Sequence, residues 1–453
     1  MLTFLIASSL IAQDAKVTPL MSKDALPADP LRVVIVGGGF GGMSAAKALK
    51  RIDADVTLID RTNYHLFQPM LYQVATASLA PSDITAPIRY VLRKHKNVTV
   101  LLAEVNGIDV ERKVVRVDIP SREIPYDFLI LAPGSRHSYF GHTEWEEFAP
   151  GLKAVEDASE VRRRFLLAFE RAEKAADLDD REANLTFVIV GGGPTGVELS
   201  GALPPIAREA LYRDFRHIDT RKTRVILLEG GPVILPSFPQ ELRDVALKSL
   251  AEIGVEVRTN SVVTAVDAEG VSIGDERIAS GTVFWAAGNE ASPLGKMLGV
   301  PVDRAGRVLV TEDLSIPGHH EIFIAGDLAY VVRKDGRQVP GVAPAANQEG
   351  RRAAKNVIRL IRRQETRPFH YFNKGDLAVI GRSRAVADFG KLRFGGRVAW
   401  LLWLFVHIMY LVGFRNRISV FIEWAYNYFT YQRGVRLITN AERRRPPIPG
   451  PSA

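Results

Sequence analysis

Residues 33–42 read V-V-I-V-G-G-G-F-G-G and residues 187–196 read F-V-I-V-G-G-G-P-T-G. Each is an apolar run ending in G-x-G-x-x-G, through Gly37, Gly39 and Gly42 in the first and Gly191, Gly193 and Gly196 in the second. The first glycine of such a turn allows a tight bend after a buried strand. The second lets the backbone approach a ligand, and the third lets the next helix pack closely on the strand. Free N–H groups at that helix start then face an anion, which suits a pyrophosphate. An acid closes the following strand in each half: Asp60 ends V-T-L-I-D, 23 residues after Gly37, and Glu229 ends V-I-L-L-E, 38 after Gly191. A carboxylate there accepts hydrogen bonds from ribose hydroxyls and repels a 2′-phosphate. Gly230 and Gly231 follow Glu229 with no arginine immediately after it, which favours NADH over NADPH. Each acid also has a plainer reading as a solvated strand end, and one glycine motif alone serves ordinary packing.

The repetition decides between those readings. L-A-P-G-S, with Gly134, and W-A-A-G-N, with Gly288, stand 154 residues apart, the same offset as Gly37 and Gly191. The chain therefore reads as two copies of one dinucleotide-binding unit, an arrangement suited to passing electrons from one dinucleotide to another. The fold class expected is α/β, with two Rossmann-like units and a C-terminal helical region. Strands are expected near 98–102, 114–118 and 128–132, then near 186–190, 224–228, 255–258 and 282–286, with a charged helix over 153–175. The expected division is 1–30 extension, 31–150 first dinucleotide unit, 151–183 connector, 184–312 second unit, 313–370 return to the first and 371–453 tail. I-F-I-A-G-D, ending at Asp327, marks the return. The longer interval before Glu229 requires an extended helix and loop over roughly 196–223.

The chain has 453 residues and no cysteine, so disulfide frameworks, thiolate nucleophiles and cysteine-based reduction beside a flavin are excluded. No H-E-x-x-H or other metal-ligand spacing and no G-x-S-x-G elbow occurs, so metal and serine hydrolysis have no support. The net charge of +8 is uneven: residues 351–453 carry 20 Lys/Arg against 5 Asp/Glu. A basic region can meet nucleic acid, an anionic membrane or only water. Residues 398–414, apolar apart from His407, and three of the five tryptophans lie among these charges, which favours a lipid surface and no nucleic acid.

Seventeen helical residues span about 25 Å, short of a hydrocarbon core of about 30 Å. Over 418–430 the polar Ser419, Glu423, Asn427 and Thr430 recur at helical spacing in an aromatic and aliphatic background. The expectation is an anchor over 391–445 lying in the interface, with Lys391, Arg393, Arg397, Arg415, Arg417, Arg433, Arg436 and Arg443 to Arg445 meeting lipid phosphates. A buried helical hairpin or a dimer interface is the alternative. Trp400, Trp403 and Tyr410 are candidate contacts with lipid or an apolar substrate, although packing within the tail suits each alone. Residues 1–12 resemble a signal h-region without a basic n-region. Residues 1–20 are expected to lie outside the folded domain, with Met21 an alternative start of synthesis. The Arg/Pro-rich end, 443–451, is expected to be disordered.

Several segments together resemble the type II NADH dehydrogenases, the non-proton-pumping NADH:quinone oxidoreductases. They are G-G-G-F-G-G (37–42), N-Y-H-L-F-Q-P-M-L-Y-Q-V-A-T (63–76), L-A-P-G-S (131–135), G-G-G-P-T-G-V-E-L-S-G-A (191–202), W-A-A-G (285–288), F-I-A-G-D (323–327), G-V-A-P-A-A-N-Q-E-G (341–350) and the aromatic tail. The resemblance covers roughly residues 31–440. It implies a two-dinucleotide flavoprotein with FAD in the first unit and NADH in the inserted second. Hydride passes from NADH to the flavin, and two electrons go on to a membrane quinone. It implies that Asp327 binds the FAD ribityl or pyrophosphate region, that Glu198 lies near nicotinamide and flavin and assists binding or proton delivery, and that Gln348 lies beside the flavin ring. It further implies peripheral attachment at the cytoplasmic face of a cell inner membrane, and a homodimer. Pro344 and Glu349 depart from the family's A-Q-x-A-x-Q-Q-G and leave the quinone preference open. The rival functions are an NADH-dependent reductase of a soluble acceptor such as ferredoxin, and a non-catalytic flavin-bound redox sensor.

Overall fold

The computed structural model describes residues 30–119, 122–430 and 433–438. The N-terminal segment 1–29, with its h-region and Met21, and the Arg/Pro-rich end lie outside the described residues.

Buried β-branched runs make the first sheet. Leu31–Val36 pairs in parallel with Ala54–Asp60 on one side and Phe128–Leu131 on the other. Val98–Leu102 extends the sheet beyond Ala54–Asp60, and His319–Ile324 beyond Phe128–Leu131, with Ser315–Ile316 antiparallel at the edge. The second sheet repeats this order. Thr186–Val190 lies between Arg224–Leu228 and Thr282–Trp285, and Val255–Arg258 forms the edge, all parallel. Each unit also carries a three-stranded antiparallel meander, over 105–125 in the first and 265–279 in the second. The duplication inferred from the glycine spacing is thus a duplication of topology. Strands buried on both faces read as continuous apolar runs, which is why they were legible.

The connector is the helix Val155–Lys174. Asp157 accepts the Lys153 and Ala154 backbone N–H groups, both at 2.8 Å, and closes its first turn. Val161, Phe165, Phe169 and Ala172, at helical spacing, turn one face inward. Phe165 and Phe169 meet Phe187 of the second sheet at ring-centroid distances of 5.0 and 5.5 Å.

Each glycine helix is clasped by a later part of the chain. Phe40–Ala48 packs against the helix Ala343–Ile361, where a Cβ on Gly350 would collide with the Gly41 carbonyl. Pro194–Pro205 packs against Asp376–Gly381, where a Cβ on Gly201 would collide with the Ile380 carbonyl. Asp376–Gly381 belongs to an antiparallel sheet with Arg384–Asp388 and Arg393–Gly395 that the sequence reading did not foresee.

Two helices follow, Gly396–Tyr410 and Phe414–Thr430. Among the described residues no helix is long and apolar enough to cross a membrane. Ala399, Trp403, His407 and Val420 face the protein core. Phe405, Phe414, Phe421 and Phe429 face out, at 64, 78, 62 and 79% exposure. The polar stripe of the second helix points inward: Ser419 Oγ donates to Asp83, Asn427 Nδ2 to the Ser78 carbonyl and Trp424 Nε1 to Gln73 Oε1, at 3.0, 3.2 and 2.7 Å. Its apolar stripe is the outer face, the reverse of an ordinary surface helix.

Candidate functional site

The two glycine turns have the same geometry. Gly37 has φ +100° and Gly191 φ +112°, each pressed against the backbone leaving the neighbouring strand, at Ala132 and Ala286. A Cβ on Gly42 or Gly196 would strike the carbonyl of its own turn's first glycine. At Gly39 and Gly193 an added Cβ would meet nothing within 4 Å. The helices that start there have no side-chain cap and no acid in the first turn. Open space beside unspent N–H groups at a helix start is a fitting cradle for a pyrophosphate.

Asp60 accepts the Gly38 N–H, and the Thr62 N–H and hydroxyl at 2.6 and 2.7 Å. Glu229 accepts the Gly192 and Gly231 N–H groups, each at 2.6 Å. Both acids therefore brace the glycine turn while standing at the strand edge where a ribose would lie. Gly134 and Gly288 have φ +77° and +73°. Just beyond them Ser135–His137 and Asn289–Ala291 pair antiparallel and join the two units.

Asp327 sits in the turn after His319–Ile324. Its Oδ2 accepts the Ser135 hydroxyl at 2.6 Å, and the Ser135 oxygen accepts from Lys153 Nζ at 2.7 Å. Burial pulls the Lys153 pKa down while Asp327 and Asp157 oppose the fall. Gly37, Gly39, Gly42, Asp60, Gly134 and Asp327 thus gather at the carboxyl ends of four adjacent strands of one sheet. Gly191, Gly193, Gly196, Glu229 and Gly288 gather likewise on the other.

Gln348 stands on the helix Ala343–Ile361. Its amide clamps the Phe372 backbone, donating to the carbonyl and accepting from the N–H, both at 3.0 Å, and also donates to Pro344 O at 3.1 Å. The next residue, Glu349, is buried and accepts the Gly326 N–H at 2.6 Å. Burial, reinforced by Asp327, pushes its carboxyl up to about 8.

Glu198, just past the first turn of Pro194–Pro205, opens onto a cavity of about 280 Å³. The cavity lies between this helix, the strand Asp376–Gly381 and the two tail helices. Burial pushes the Glu198 carboxyl up to about 8 against the opposing Val379 N–H. Trp403 and Trp424, with ring centroids 5.5 Å apart, share the wall with Tyr72, Gln73 and Phe421. Trp400 lines it too, tilted on Tyr428 at 5.5 Å, whereas Tyr410 is exposed and bonds Lys374 at 3.0 Å.

Four of the flanking cations are not free for lipid. Arg393 pairs with Glu241 at 2.7 Å, Arg417 donates to the Leu411 carbonyl at 2.9 Å, and Arg436 pairs with Asp214. Arg433 lines the cavity instead of the outer face. The tail folds back far enough to reach these partners, and the linear sequence hides that return. Lys391, Arg397 and Arg415 remain exposed, and Arg443 to Arg445 lie outside the described residues. The sequence reading also missed Tyr72, Gln73, Lys153 and Arg433 as site residues. Tyr72 and Gln73 lie inside the N-Y-H-L-F-Q-P-M-L-Y-Q run, whose specificity was their signal.

The family described as pyridine nucleotide-disulphide oxidoreductase matches residues 31–350, and the NDH2 C-terminal domain matches 373–431. The type II NADH:quinone oxidoreductase NdhA of Mycobacterium tuberculosis is 47% identical over 425 residues, 90% of this chain and 89% of that protein. The type II NADH:quinone oxidoreductase Ndh of the same organism is 44% identical, over 94% of each. The structure of NDH2 from Plasmodium falciparum in complex with NADH superimposes with a TM-score of 0.82 at 22% identity, covering 89% of this chain and 99% of that one. These matches run through both glycine-turn units and the tail, over about nine-tenths of the chain, and the chain belongs to the type II NADH:quinone oxidoreductases.

Proposed function

We propose that the protein oxidises NADH with a tightly held FAD and reduces a quinone dissolved in a membrane, without moving protons across it. On this reading residues 31–150 and 313–370 hold FAD, 184–312 hold NADH, 151–183 connect them, and 371–453 face the lipid. One observation carries it: the cavity beside Glu198 is walled by the same two helices whose outer faces are apolar and exposed. An acceptor that lives in lipid could reach such a cavity without crossing water.

The first glycine turn fits FAD, since the space at Gly39 accepts a phosphate where a side chain would have filled it. Bound there, FAD supplies a two-electron carrier between nicotinamide and quinone. The chain's own residues do the rest. The Gly39 helix start and Asp60 hold the pyrophosphate and ribose of FAD, and Asp327, fixed through Ser135 by Lys153, adds a second polar hold. Gly193 and Glu229 do the same for NADH, and Glu229 disfavours a 2′-phosphate. With its carboxyl at about 8, Glu198 keeps a proton at neutral pH and can deliver it at the cavity wall. The apolar wall excludes water from the exchange. Lys391, Arg397 and Arg415 add attraction to an anionic leaflet at its cytoplasmic face, each worth about 1 kcal/mol near the surface.

The test is NADH oxidation by the purified full-length protein in anionic liposomes, with a quinone and with a soluble acceptor such as ferricyanide. Phe405→Asp with Phe414→Asp, both exposed and outside the cavity wall, should detach the protein from liposomes and suppress quinone turnover while ferricyanide turnover persists. Equal turnover of quinone in the detached variant would overturn the reading.

A further inference from the structure

The cavity wall is chiefly aromatic and aliphatic, yet three of its polar groups hold hydrogens that no atom of the described residues accepts. Trp403 Nε1–H is buried without a partner. The Tyr72 hydroxyl accepts from Gln73 Nε2 at 2.9 Å, which leaves its own proton to give. The third group is the Arg433 guanidinium, which follows the second tail helix and forms no ion pair with the described residues. Tyr72 feels both Glu198, which raises its pKa, and Arg433, which lowers it, so all three groups border one space. A guanidinium partly withdrawn from water with no carboxylate beside it is costly unless a further partner completes it. Enclosure lowers the Arg433 pKa to about 10, so it remains a cation at physiological pH. Its place is set from the far side, where Arg436 donates to the Ala210 carbonyl at 3.0 Å and pairs with Asp214, both just beyond the Glu198 helix.

We infer that Arg433 binds the quinone headgroup, at the oxygen on which negative charge builds during reduction, and that residues 433–436 belong to the acceptor site and not to the lipid anchor. The inference rests on the function proposed above and adds a residue to it. NADH and one proton from solvent are consumed, and NAD⁺ and quinol leave. The quinone gains two electrons and two protons. Arg433 stays protonated and forms no covalent bond. Its charge favours the developing oxyanion over the neutral ketone, the differential binding that speeds a step. Trp403 Nε1–H and the Tyr72 hydroxyl are the remaining donors for the headgroup.

The experiment compares Arg433→Met and Arg433→Lys with the unaltered chain, full-length and FAD-loaded in liposomes, using a short-chain ubiquinone analogue and ferricyanide. Arg433→Met should lower kcat/KM for the quinone about tenfold to hundredfold, the range for a lost hydrogen bond to a charged group. Arg433→Lys should recover much of that loss. Flavin content and ferricyanide turnover should stay unchanged, and the thermal midpoint should not fall, since Met removes an enclosed charge. Unchanged quinone kinetics in Arg433→Met would overturn the inference, and so would an equal loss with both acceptors, which marks a structural role. Failure of the unaltered chain to reduce any quinone would instead remove the functional reading itself, and this inference with it.

Discussion

At matching positions, two residues after the last glycine of each turn, the first unit has Ser44 and the second Glu198. The surrounding turns are superposable in kind, yet these two side chains meet different surroundings. Ser44 donates to Asn347 at 2.6 Å and helps lock its helix to Ala343–Ile361. Glu198 opens onto the cavity with its carboxyl raised to about 8. One copy of the duplicated unit is sealed by a helix, which suits a ligand that stays. The other is covered by a sheet and two helices with exposed apolar faces, which suits reactants that come and go. What differs is the clasping element, not the nucleotide cradle.

The clasps give the largest expected effects. Gly350→Ala places a Cβ into rigid backbone at Gly41, and overpacking of that kind costs about 3 kcal/mol at its upper end. Thermal unfolding should show that loss together with poor flavin retention. Gly201→Ala meets the Ile380 carbonyl of a short sheet that can shift, so about 1–2 kcal/mol is expected, with flavin retained and quinone turnover impaired. Equal flavin loss from both would erase the distinction between the units.

The acids sharpen it next. Glu229→Ala should raise the KM for NADH about tenfold or more, as for lost charged hydrogen bonds, and leave bound FAD intact. Asp60→Ala should do the converse, measured as flavin released on gel filtration. Release of flavin from the Glu229 variant would sink that assignment.

The raised carboxyls predict a pH effect with a defined sign. Glu198 and Glu349 keep protons up to about pH 8 in the fold but release them near their ordinary values when unfolded. Their contribution is fully present below the unfolded pKa and is lost as pH rises to about 8. The unfolding midpoint should therefore fall across pH 5 to 8, and Glu198→Gln or Glu349→Gln should flatten that fall. Only Glu198→Gln should also change how quinone turnover declines above pH 8. The smallest effect belongs to Arg393→Ala, which breaks a partly exposed pair with Glu241 and should cost under about 1 kcal/mol.

Much of this was readable before any coordinates. The strands near 98–102, 186–190, 224–228 and 255–258 fall where the buried apolar runs placed them, and those near 114–118, 128–132 and 282–286 each end one residue sooner. The longer stretch before Glu229 is the helix Pro194–Pro205 running on through Ile206–Ala210. The antiparallel sheet from Asp376 to Gly395 escaped because its strands are three to six residues long and polar at their ends. Helical spacing showed that Phe414–Thr430 has two faces, but spacing cannot say which one meets the protein. Arg433 stood in a row of similar cations, and only the fold separates the one turned inward from those facing water. Lys153 and Glu349 were missed as enclosed ionisable groups for the same reason: enclosure of a polar residue is decided by partners far away in the chain.

The Trp403–Trp424 pair has a practical consequence. Indole emission responds to the polarity around the ring and to nearby electron-poor molecules, and both rings border the space assigned to the acceptor. Filling that space should dim and shift their fluorescence, so the protein carries an intrinsic optical gauge of occupancy that needs neither turnover nor an added label.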